Sequence, residues 1–471
     1  MMEVFAGFLT HTDHHIGRLL DFLDAAHQLD NTLVILLSDN GASAEGGPNG
    51  TFNENFLFNG LPHDLATTMR LIDKLGGPDS YGHYPWGWAY AGNTPFKRWK
   101  RETHEGGIGD PLIIAGLTAT SGGGADTDTD TDNVRHQYVH ATDVAATILD
   151  ACGVSMPEVL NGVAQEPLAG ASFTTSFREP AAAEQRTMQY YEQFACRALY
   201  HHGWKAVAYH PMAIARYSPS DDSRRPFDED IWELYHVAID PSESNDLAAS
   251  HPEKLEELKV IWWEQARLNN ALPLQSDRAF AVGRPHTIRE RSRYELRQGA
   301  APIPEEVAPN LKLRPHSIVA RFEIPSEGGN GVLLAQGGKF GGFSLWIRDN
   351  VVRFTYNFAG IETHEIVATT PLGSGSHIVG VSVTPAAGTG MDAVMHIDGA
   401  IAGEVSLPRT SMLRFTLAGE GMCCGYDDGT AVGDYSAPFA YNGRIDSVTI
   451  DVSGAEFTDV VAEVERAWRT Q

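Results

Sequence analysis

The chain has 471 residues, which is room for about two or three domains of ordinary size. Its 35 Lys and Arg residues are outnumbered by 61 Asp and Glu residues, and the net charge of −26 argues against nonspecific binding to nucleic acid or anionic membranes. No apolar run approaches the ~20 residues needed to cross a bilayer. The first residues lack the basic and apolar segments of an export signal, and the four cysteines are too scattered to predict a disulfide framework.

The first predicted element is an amphipathic helix over residues 5–28. Ile16, Leu19, Leu20 and Leu23 recur at the i, i+3, i+4 and i+7 spacing of one helix face. The helix leads directly into an apolar strand and has no strand before it. The predicted sheet therefore begins in its middle.

That strand, residues 32–37, consists of six consecutive β-branched or aliphatic residues without polar alternation. Such a run is typical of a strand buried on both faces of a parallel sheet, and parallel sheets bind ligands beyond the carboxyl ends of their strands. Asp39 and Asn40 follow at that end, before Gly41, and their side-chain oxygens are the donors that Ca²⁺ or Mg²⁺ prefers. The pattern thus indicates a metal site, with a simple Asx-Gly turn as the alternative.

A second block, residues 93–107, concentrates positive charge in an acidic protein. Its basic side chains are Lys97, Arg98, Lys100, Arg101 and His104. The block precedes a second apolar strand at residues 111–115, and cations in that position suit the binding of an oxyanion such as sulfate or phosphate. A solvated basic turn is the alternative.

Taken in chain order, these segments resemble the sulfatase family of the alkaline-phosphatase superfamily. The order is helix, apolar strand, Ser-Asp-Asn-Gly, variable insertion, Asn-Thr-Pro-Phe-x-x-x-Lys, His-Glu-Gly-Gly and a second apolar strand. Further segments similar to that family follow at residues 140–153, 161–163, 170–173, 203–207, 232–237 and 240–248. The resemblance covers roughly residues 4–270, and its specificity comes from the ordered set rather than from any single motif.

The resemblance implies roles for four residues. Asp39 and Asn40 match the metal-binding Asp-Asn pair of sulfatases, which holds a calcium ion that orients the sulfate ester; Mg²⁺ is the alternative cation. Lys100 matches the family's sulfate-contacting lysine, whose ammonium would neutralise a sulfate oxygen or the charge developing on the leaving group. His104 is the second predicted catalytic residue, because it lies in the segment that the family places near the pocket, but it has no assigned role.

The family's nucleophile has no counterpart in this sequence. Sulfatases use a formylglycine made from the first residue of a Cys/Ser-x-Pro/Ala-x-Arg motif, and no cysteine or serine here begins such a motif. The family's paired aspartates would also precede Met1. We therefore expect the carboxy-terminal part of an arylsulfatase, explained by a truncated gene model or by a second polypeptide that carries the complementing amino-terminal half.

The predicted metal site is incomplete by ligand count. Ca²⁺ takes about 6 to 8 oxygen ligands, whereas Asp39 and Asn40 together supply roughly three. The predicted calcium binding is therefore weak. Without a nucleophile there is no covalent route through a sulfated enzyme intermediate, so the chain alone is predicted to be inactive.

The pattern changes after residue 315. Short strands separated by Gly, Asn and Asp turns are predicted at residues 316–324, 331–335, 342–347, 351–356, 377–383, 393–397 and 443–450. Asp398-Gly399 predicts a hairpin turn. The series resembles a concanavalin-like or laminin-G-like jelly roll, in which Trp346, Tyr356 and Tyr426 are candidate exposed aromatic residues.

The predicted fold is therefore an α/β sulfatase domain of the alkaline-phosphatase type, incomplete at its amino-terminal side, followed by an all-β sandwich. The catalytic α/β domain is expected at residues 1–180, its small α+β subdomain at 181–271, a linker at 272–315, the sandwich at 316–452, and a helix or tail at 453–471. Residues 46–88 are predicted to form a long loop with aromatic anchors that shapes the substrate pocket.

Three functions remain open from the sequence. The first is hydrolysis of a sulfate ester, either a small molecule or a glycan, by an arylsulfatase-type enzyme. The second is hydrolysis of a phosphomonoester or phosphonate by a related enzyme of the same superfamily. The third is a non-catalytic protein that binds glycans through the sandwich. Nothing indicates a nucleic-acid or membrane partner, and the predicted location is soluble, with cytoplasm and periplasm both open.

Overall fold

The computed structural model describes residues 1–59, 61, 65–116, 134–211, 225–276 and 291–454. The chain divides into two compact units. The first unit comprises Met1–Gly50 and Tyr84–Gly283, and the second comprises Thr51–His83 and Arg284–Gln471. The helix or tail predicted at residues 453–471 lies outside the described residues from position 455 onward.

The described residues form α-helices at Met2–Ala25 (α1), Asn55–Phe58 (α2), Leu65–Arg70 (α3), Trp86–Asn93 (α4), Glu105–Ile108 (α5), Ala141–Ala151 (α6), Thr175–Arg178 (α7) and Pro252–Leu268 (α8). Strands of the first unit are Val34–Leu37 (β1), Leu112–Ala115 (β2), Val159–Leu160 (β3), Val163–Ala164 (β4), Met188–Gln193 (β5), Cys196–His201 (β6), Trp204–Ala208 (β7) and Trp232–Tyr235 (β8). Strands of the second unit are Arg293–Leu296 (β9), His316–Ile324 (β10), Gly331–Gly338 (β11), Gly341–Arg348 (β12), Val351–Phe358 (β13), Glu362–Val367 (β14), Gly375–Pro385 (β15), Met391–Ile397 (β16), Ala400–Leu407 (β17), Met422–Cys424 (β18) and Arg444–Asp451 (β19). None of the helices within the described ranges combines the length and apolarity that crossing a bilayer requires.

The predicted helix and strand at the start of the chain are present, but the predicted parallel pairing is wrong. Strand β1 pairs with β2 in antiparallel register, with Val34 opposite Ala115 and Leu37 opposite Leu112. The expected burial on both faces is also wrong, because Leu37 is 44% exposed. An unbroken apolar run indicates that both faces of a strand are apolar, but it does not indicate the direction of the neighbouring strand. Within the described residues the two strands form a sheet of their own.

The remainder of the first unit contains an α+β layer, as the resemblance predicted. Strands β5, β6, β7 and β8 form an antiparallel sheet in that order, and α8 packs on it. Leu199, Leu234, Leu258 and Trp262 are fully buried between the sheet and the helix. The indole of Trp262 donates a hydrogen bond to the Tyr191 carbonyl at 3.0 Å, so the polar edge of this large side chain is satisfied inside the core.

The second unit is an antiparallel β-sandwich, which agrees with the predicted jelly roll. One sheet has the strand order β17-β16-β15-β10-β19-β9 and the other has the order β14-β13-β12-β11-β18. Side chains of both sheets share one core. Along β10 the side chains alternate between buried Ala320, Phe322 and Ile324 and exposed residues, as a strand with one buried face requires.

Three local predictions for the sandwich have clear outcomes. The hairpin turn is confirmed, since Asp398 and Gly399 both have positive φ (48° and 80°) between β16 and β17. Trp346 and Tyr356 were candidate exposed aromatics, but their side chains are buried, at 0% and 7% exposure, because they lie on a sheet covered on both faces. Strand β9 lies in the stretch predicted as a linker and pairs with β19 at the edge of the larger sheet.

Residues 51–83, here called the insertion segment, belong to the second unit although they interrupt the first in sequence. Three buried asparagines hold this segment on the sandwich. Asn53 donates to the Ala359 carbonyl at 3.2 Å, and Asn55 donates to the carbonyls of Phe340 (3.2 Å) and Phe415 (2.8 Å). Asn59 donates to the Arg414 carbonyl at 3.1 Å and accepts from the Met412 amide at 2.9 Å. Most of the loop predicted at residues 46–88 is therefore part of the sandwich unit.

Candidate functional site

The loop after β1 is fixed by backbone hydrogen bonds to the segment around α5 and β2. The Ser38 amide donates to the Pro111 carbonyl, and the Gly41 amide donates to the Gly107 carbonyl, both at 3.3 Å. The Ser38 hydroxyl donates to the Asn40 carbonyl at 2.9 Å. These contacts place Asp39 and Asn40 at a defined position beyond the end of β1.

Three glycines allow the backbones of these loops to approach closely. A Cβ atom on Gly41 would lie 1.8 Å from the Gly106 carbonyl oxygen, and one on Gly106 would lie 2.2 Å from the Arg98 carbonyl oxygen. A Cβ atom on Gly107 would lie 2.0 Å from the Glu102 carbonyl oxygen. These distances are too short for any side chain, so the glycines of both motifs are required for the loops to pack against each other.

Asn93 connects the two predicted motifs. Its Oδ1 accepts a hydrogen bond from the Ala42 amide at 3.0 Å, and its Nδ2 donates to the carbonyls of Arg98 (2.9 Å) and Gly106 (2.7 Å). The Lys100 amide donates to the Ala42 carbonyl at 3.0 Å. Asn93 therefore sets the position of Lys100 relative to the metal-site loop. This role was not predicted, because a single asparagine next to a Thr-Pro turn gives no signal of a long-range contact.

The structure brings three of the four predicted site residues together. Asp39, Asn40 and Lys100 line one cavity of about 440 Å³, and Arg101 lines it beside Lys100. Glu45, Glu102 and Glu192 line it as well, so the cavity combines two cations with several oxygen-bearing side chains. A metal or an anion can be bound there by the types of group that the sequence predicted.

Glu45 is a site residue that the sequence analysis missed. Its carboxylate accepts a hydrogen bond from Lys100 Nζ at 3.0 Å, pairs with the guanidinium of Arg101, and accepts from the Ser43 hydroxyl at 2.9 Å. Burial alone would raise the pKa of Glu45, but Arg101 and Lys100 outweigh burial and lower the pKa from 4.5 to about 2. Glu45 is therefore ionised at neutral pH and holds both cations at the cavity.

His104 lies outside the residues that line this cavity. Its imidazole is 1% exposed, and Nε2 lies 3.2 Å from Glu233 Oε2. Glu233 also accepts a hydrogen bond from Lys97 Nζ at 2.8 Å and pairs with the Tyr235 hydroxyl. Burial lowers the pKa of His104, so the imidazole is neutral at pH 7 and donates its Nε2 proton to the carboxylate. Its observed contacts connect α5 to strand β8.

The donor chemistry at Asp39 and Asn40 fits a hard cation such as Ca²⁺ or Mg²⁺, but the ligand set is incomplete. No group of three or more His, Cys, Asp or Glu residues that could hold a metal is found within the described ranges. Asp110 lies near enough to Asp39 to sense its charge: burial, Asp39 and Glu105 raise the pKa of Asp110 to about 6. The described side chains therefore supply only part of the coordination shell that such a cation requires.

Comparisons with known proteins agree with the resemblance read from the sequence. Residues 1–154 match the model of the sulfatase family. An uncharacterized sulfatase of Schizosaccharomyces pombe is 28% identical over 263 residues, which cover 55% of this chain and 42% of that protein. An arylsulfatase of Klebsiella aerogenes is 26% identical over 180 residues, which cover 37% of this chain and 34% of that protein.

A solved structure from work on glycosaminoglycan metabolism by Bacteroides thetaiotaomicron is 17% identical, covers 54% of this chain and 42% of that chain, and has a TM-score of 0.34. The chain spans less than half the length of the curated relatives it matches. The family match at residues 1–154 and the two relatives establish that the chain contains a sulfatase-family domain.

Proposed function

We propose that this protein acts in arylsulfatase-type hydrolysis of sulfate esters. In this proposal the cavity of about 440 Å³ that Asp39, Asn40 and Lys100 line holds the sulfate group. The observation that carries the proposal is the convergence of Asp39, Asn40 and Lys100 on one cavity, in a domain that matches the sulfatase family. A divalent cation, Ca²⁺ in preference to Mg²⁺, would bind Asp39 and Asn40 and supply positive charge to the sulfate oxygens.

Lys100 and Arg101 supply the anion-binding charge in this proposal. Both cations are paired with Glu45, which lines the same cavity, so this pairing holds them at the cavity and offsets part of their charge. Lys100 Nζ has three protons and uses one on Glu45, which leaves donors for a sulfate oxygen. Charge-assisted hydrogen bonds of this kind stabilise negative charge that develops during ester cleavage.

The chain contributes binding groups and no recognisable nucleophile. No Cys/Ser-x-Pro/Ala-x-Arg motif, the source of formylglycine in sulfatases, is present in the 471 residues. We therefore propose that these 471 residues bind sulfate and sulfate esters, and that turnover requires a formylglycine-bearing segment that they do not contain. The substrate is proposed to be a sulfate ester of a small molecule or a glycan.

The test is a calorimetric titration of the purified full chain with inorganic sulfate and, separately, with inorganic phosphate, with and without calcium. The variant is Lys100→Ala, and the matched control is Lys254→Ala, a lysine of α8 that is likewise partly exposed and paired with a glutamate, Glu257, at 2.8 Å. We expect Lys100→Ala to weaken sulfate binding at least about tenfold and Lys254→Ala to leave it unchanged.

Three results would contradict the proposal. Equal sulfate binding by the wild type and Lys100→Ala would show that Lys100 does not form part of an anion-binding site. Tighter binding of phosphate than of sulfate would favour the phosphomonoester alternative. Calcium-dependent turnover of nitrophenyl sulfate by the purified chain would refute the argument that the nucleophile is missing.

A further inference from the structure

A second cavity, of about 600 Å³, lies within the second unit between the insertion segment and the sandwich. Nothing in the proposed sulfatase chemistry uses it. Its volume is in the range of small-molecule sites, which run from about 300 to 1,000 Å³. The cavity is therefore large enough for an organic ligand such as a short oligosaccharide.

The described lining of this cavity is positively charged in a strongly acidic protein. Lys74, Lys339 and Arg409 line it, and Asp79 is the only acidic residue among the described lining residues. The chain as a whole has a net charge of −26, so a cluster of three cations is a local reversal of the protein's charge. Such a reversal raises the local concentration of anions at the cavity.

The three cations differ in how far they are neutralised. Lys74 is exposed to solvent. Lys339 donates to the Pro78 carbonyl, and its Nζ is 3.9 Å from the exposed Asp79 carboxylate. Arg409 is paired with Glu362 beside the cavity. Lys339 and Arg409 are therefore each held beside a carboxylate, so the net positive charge of the three cations is smaller than +3.

The floor of the cavity is rigid because buried polar side chains are bonded in place. Thr51 and Asn53 are 1% and 3% exposed, and the Thr51 hydroxyl donates to the Asn53 carbonyl at 2.9 Å. Asn53 in turn donates to the Ala359 carbonyl of the sandwich. A floor fixed from both segments needs no reorganisation when a ligand binds, which reduces the free-energy cost of association.

Apolar ring surface lies next to these polar groups. Phe52, Phe56 and Phe340 line the cavity, and the ring of Phe340 is 5.6 Å from that of Tyr81. Aromatic rings pack against the C–H faces of sugars, whereas inorganic anions gain nothing from them. The combination of rings with cations favours an organic anion with an apolar face and several acidic groups.

We propose that this cavity, bounded by Lys74, Lys339, Arg409 and Phe340, binds an acidic oligosaccharide that carries sulfate or carboxylate groups. The lysines pair with the acidic groups, and the phenylalanine rings contact the sugar faces. Neither the insertion segment nor the sandwich forms this site alone. The proposal is independent of the chemistry at Lys100.

The test uses the full chain and a heparin-derived tetrasaccharide as the probe, with a neutral tetrasaccharide of cellulose and inorganic sulfate as comparison ligands, in calorimetric titrations. The variant is Lys74→Glu with Lys339→Glu, and the matched control is Arg444→Glu, which makes the same charge change per site at an exposed position on β19. A Gln pair at the same two lysines serves as a second variant if the Glu pair does not fold.

We expect the wild type to bind the sulfated probe, the neutral sugar to bind at least about tenfold more weakly, and either lysine variant to lose about tenfold or more in affinity. Arg444→Glu should bind like the wild type. Equal losses in the lysine variants and in Arg444→Glu would overturn the proposal, because only overall charge would then matter. Equal binding of the neutral sugar, binding of inorganic sulfate as tightly as the tetrasaccharide, or no binding of the probe would each overturn it as well.

Discussion

Replacing Asn55 with alanine tests how the insertion segment is held on the sandwich. Asn55 is 1% exposed and donates two hydrogen bonds to backbone carbonyls, to Phe340 at 3.2 Å and to Phe415 at 2.8 Å. At about 1 kcal/mol per bond, their loss lowers the free energy of unfolding of the second unit by about 2 kcal/mol. Among the residues that the structure describes, none donates a hydrogen bond to the buried Asn55 Oδ1, so removal of this atom offsets part of that loss.

The assay is thermal unfolding followed by near-UV circular dichroism. A loss of about 2 kcal/mol corresponds to a fall in Tm of about 4 to 8 °C for a unit of this size. Asn55→Asp should lose more than Asn55→Ala, because a carboxylate then lies against two carbonyl oxygens. The control is Asn310→Ala, whose exposed side chain accepts one local bond from the Lys312 amide. A Tm for Asn55→Ala within about 1 °C of the wild type would refute the reasoning.

Three further predictions concern the first unit. Burial raises the pKa of Glu102 from 4.5 to about 7. Because the native state holds a proton there that the unfolded state has lost, the free energy of unfolding should fall as the pH rises from 4.5 through 7. Urea titrations of Glu102→Gln should show no such dependence of that free energy on pH. Gly106→Ala should destabilise the unit by about 3 kcal/mol or more in urea unfolding, because its Cβ would lie 2.2 Å from a carbonyl oxygen. Calcium should bind only weakly in calorimetric titrations, and Asp39→Asn should abolish that binding.

Each of these predictions has a control and a contradicting result. A slope retained in Glu102→Gln would assign the pH dependence to another group. Gly17→Ala, in α1, should be neutral or stabilising, because no atom of the described segments lies within 4 Å of the added Cβ. A loss as large as that of Gly106→Ala would contradict the steric argument. Asp13→Asn, exposed on α1, should bind calcium like the wild type, and calcium binding that survives Asp39→Asn would place the site elsewhere.

Local patterns in the sequence predicted elements well and contacts poorly. The sandwich strands were recognisable because β10 and its neighbours alternate or end at Gly and Asp turns. Strand β1 was also predicted correctly. The direction of the strand that pairs with it and the solvent exposure of its side chains were predicted wrongly, because both depend on which distant segment lies beside β1. Strand β9 was missed because four residues at a sheet edge have little periodicity.

The candidate site shows the same division. Asp39, Asn40 and Lys100 were predicted from motif order and do line one cavity, while their functional roles stay predictions. Glu45 and Asn93 were missed because their importance depends on contacts 51 to 56 positions away in sequence. No spacing rule identifies a carboxylate that becomes a partner of two cations only after the chain has folded.

The second unit is built from two segments that are far apart in the sequence, Thr51–His83 and Arg284–Gln471. This separation affects how the unit forms during synthesis. Asn55 and its acceptor Phe415 are separated by 360 positions, so on a ribosome that adds about 5–20 residues per second the donor emerges roughly 20 to 70 s before the acceptor exists. During that interval the nascent segment has only water or a chaperone to satisfy its amides. The sandwich can close only after its strand β19 (Arg444–Asp451) has been made, so premature release or proteolysis of the nascent chain removes strands without which the earlier segment cannot dock.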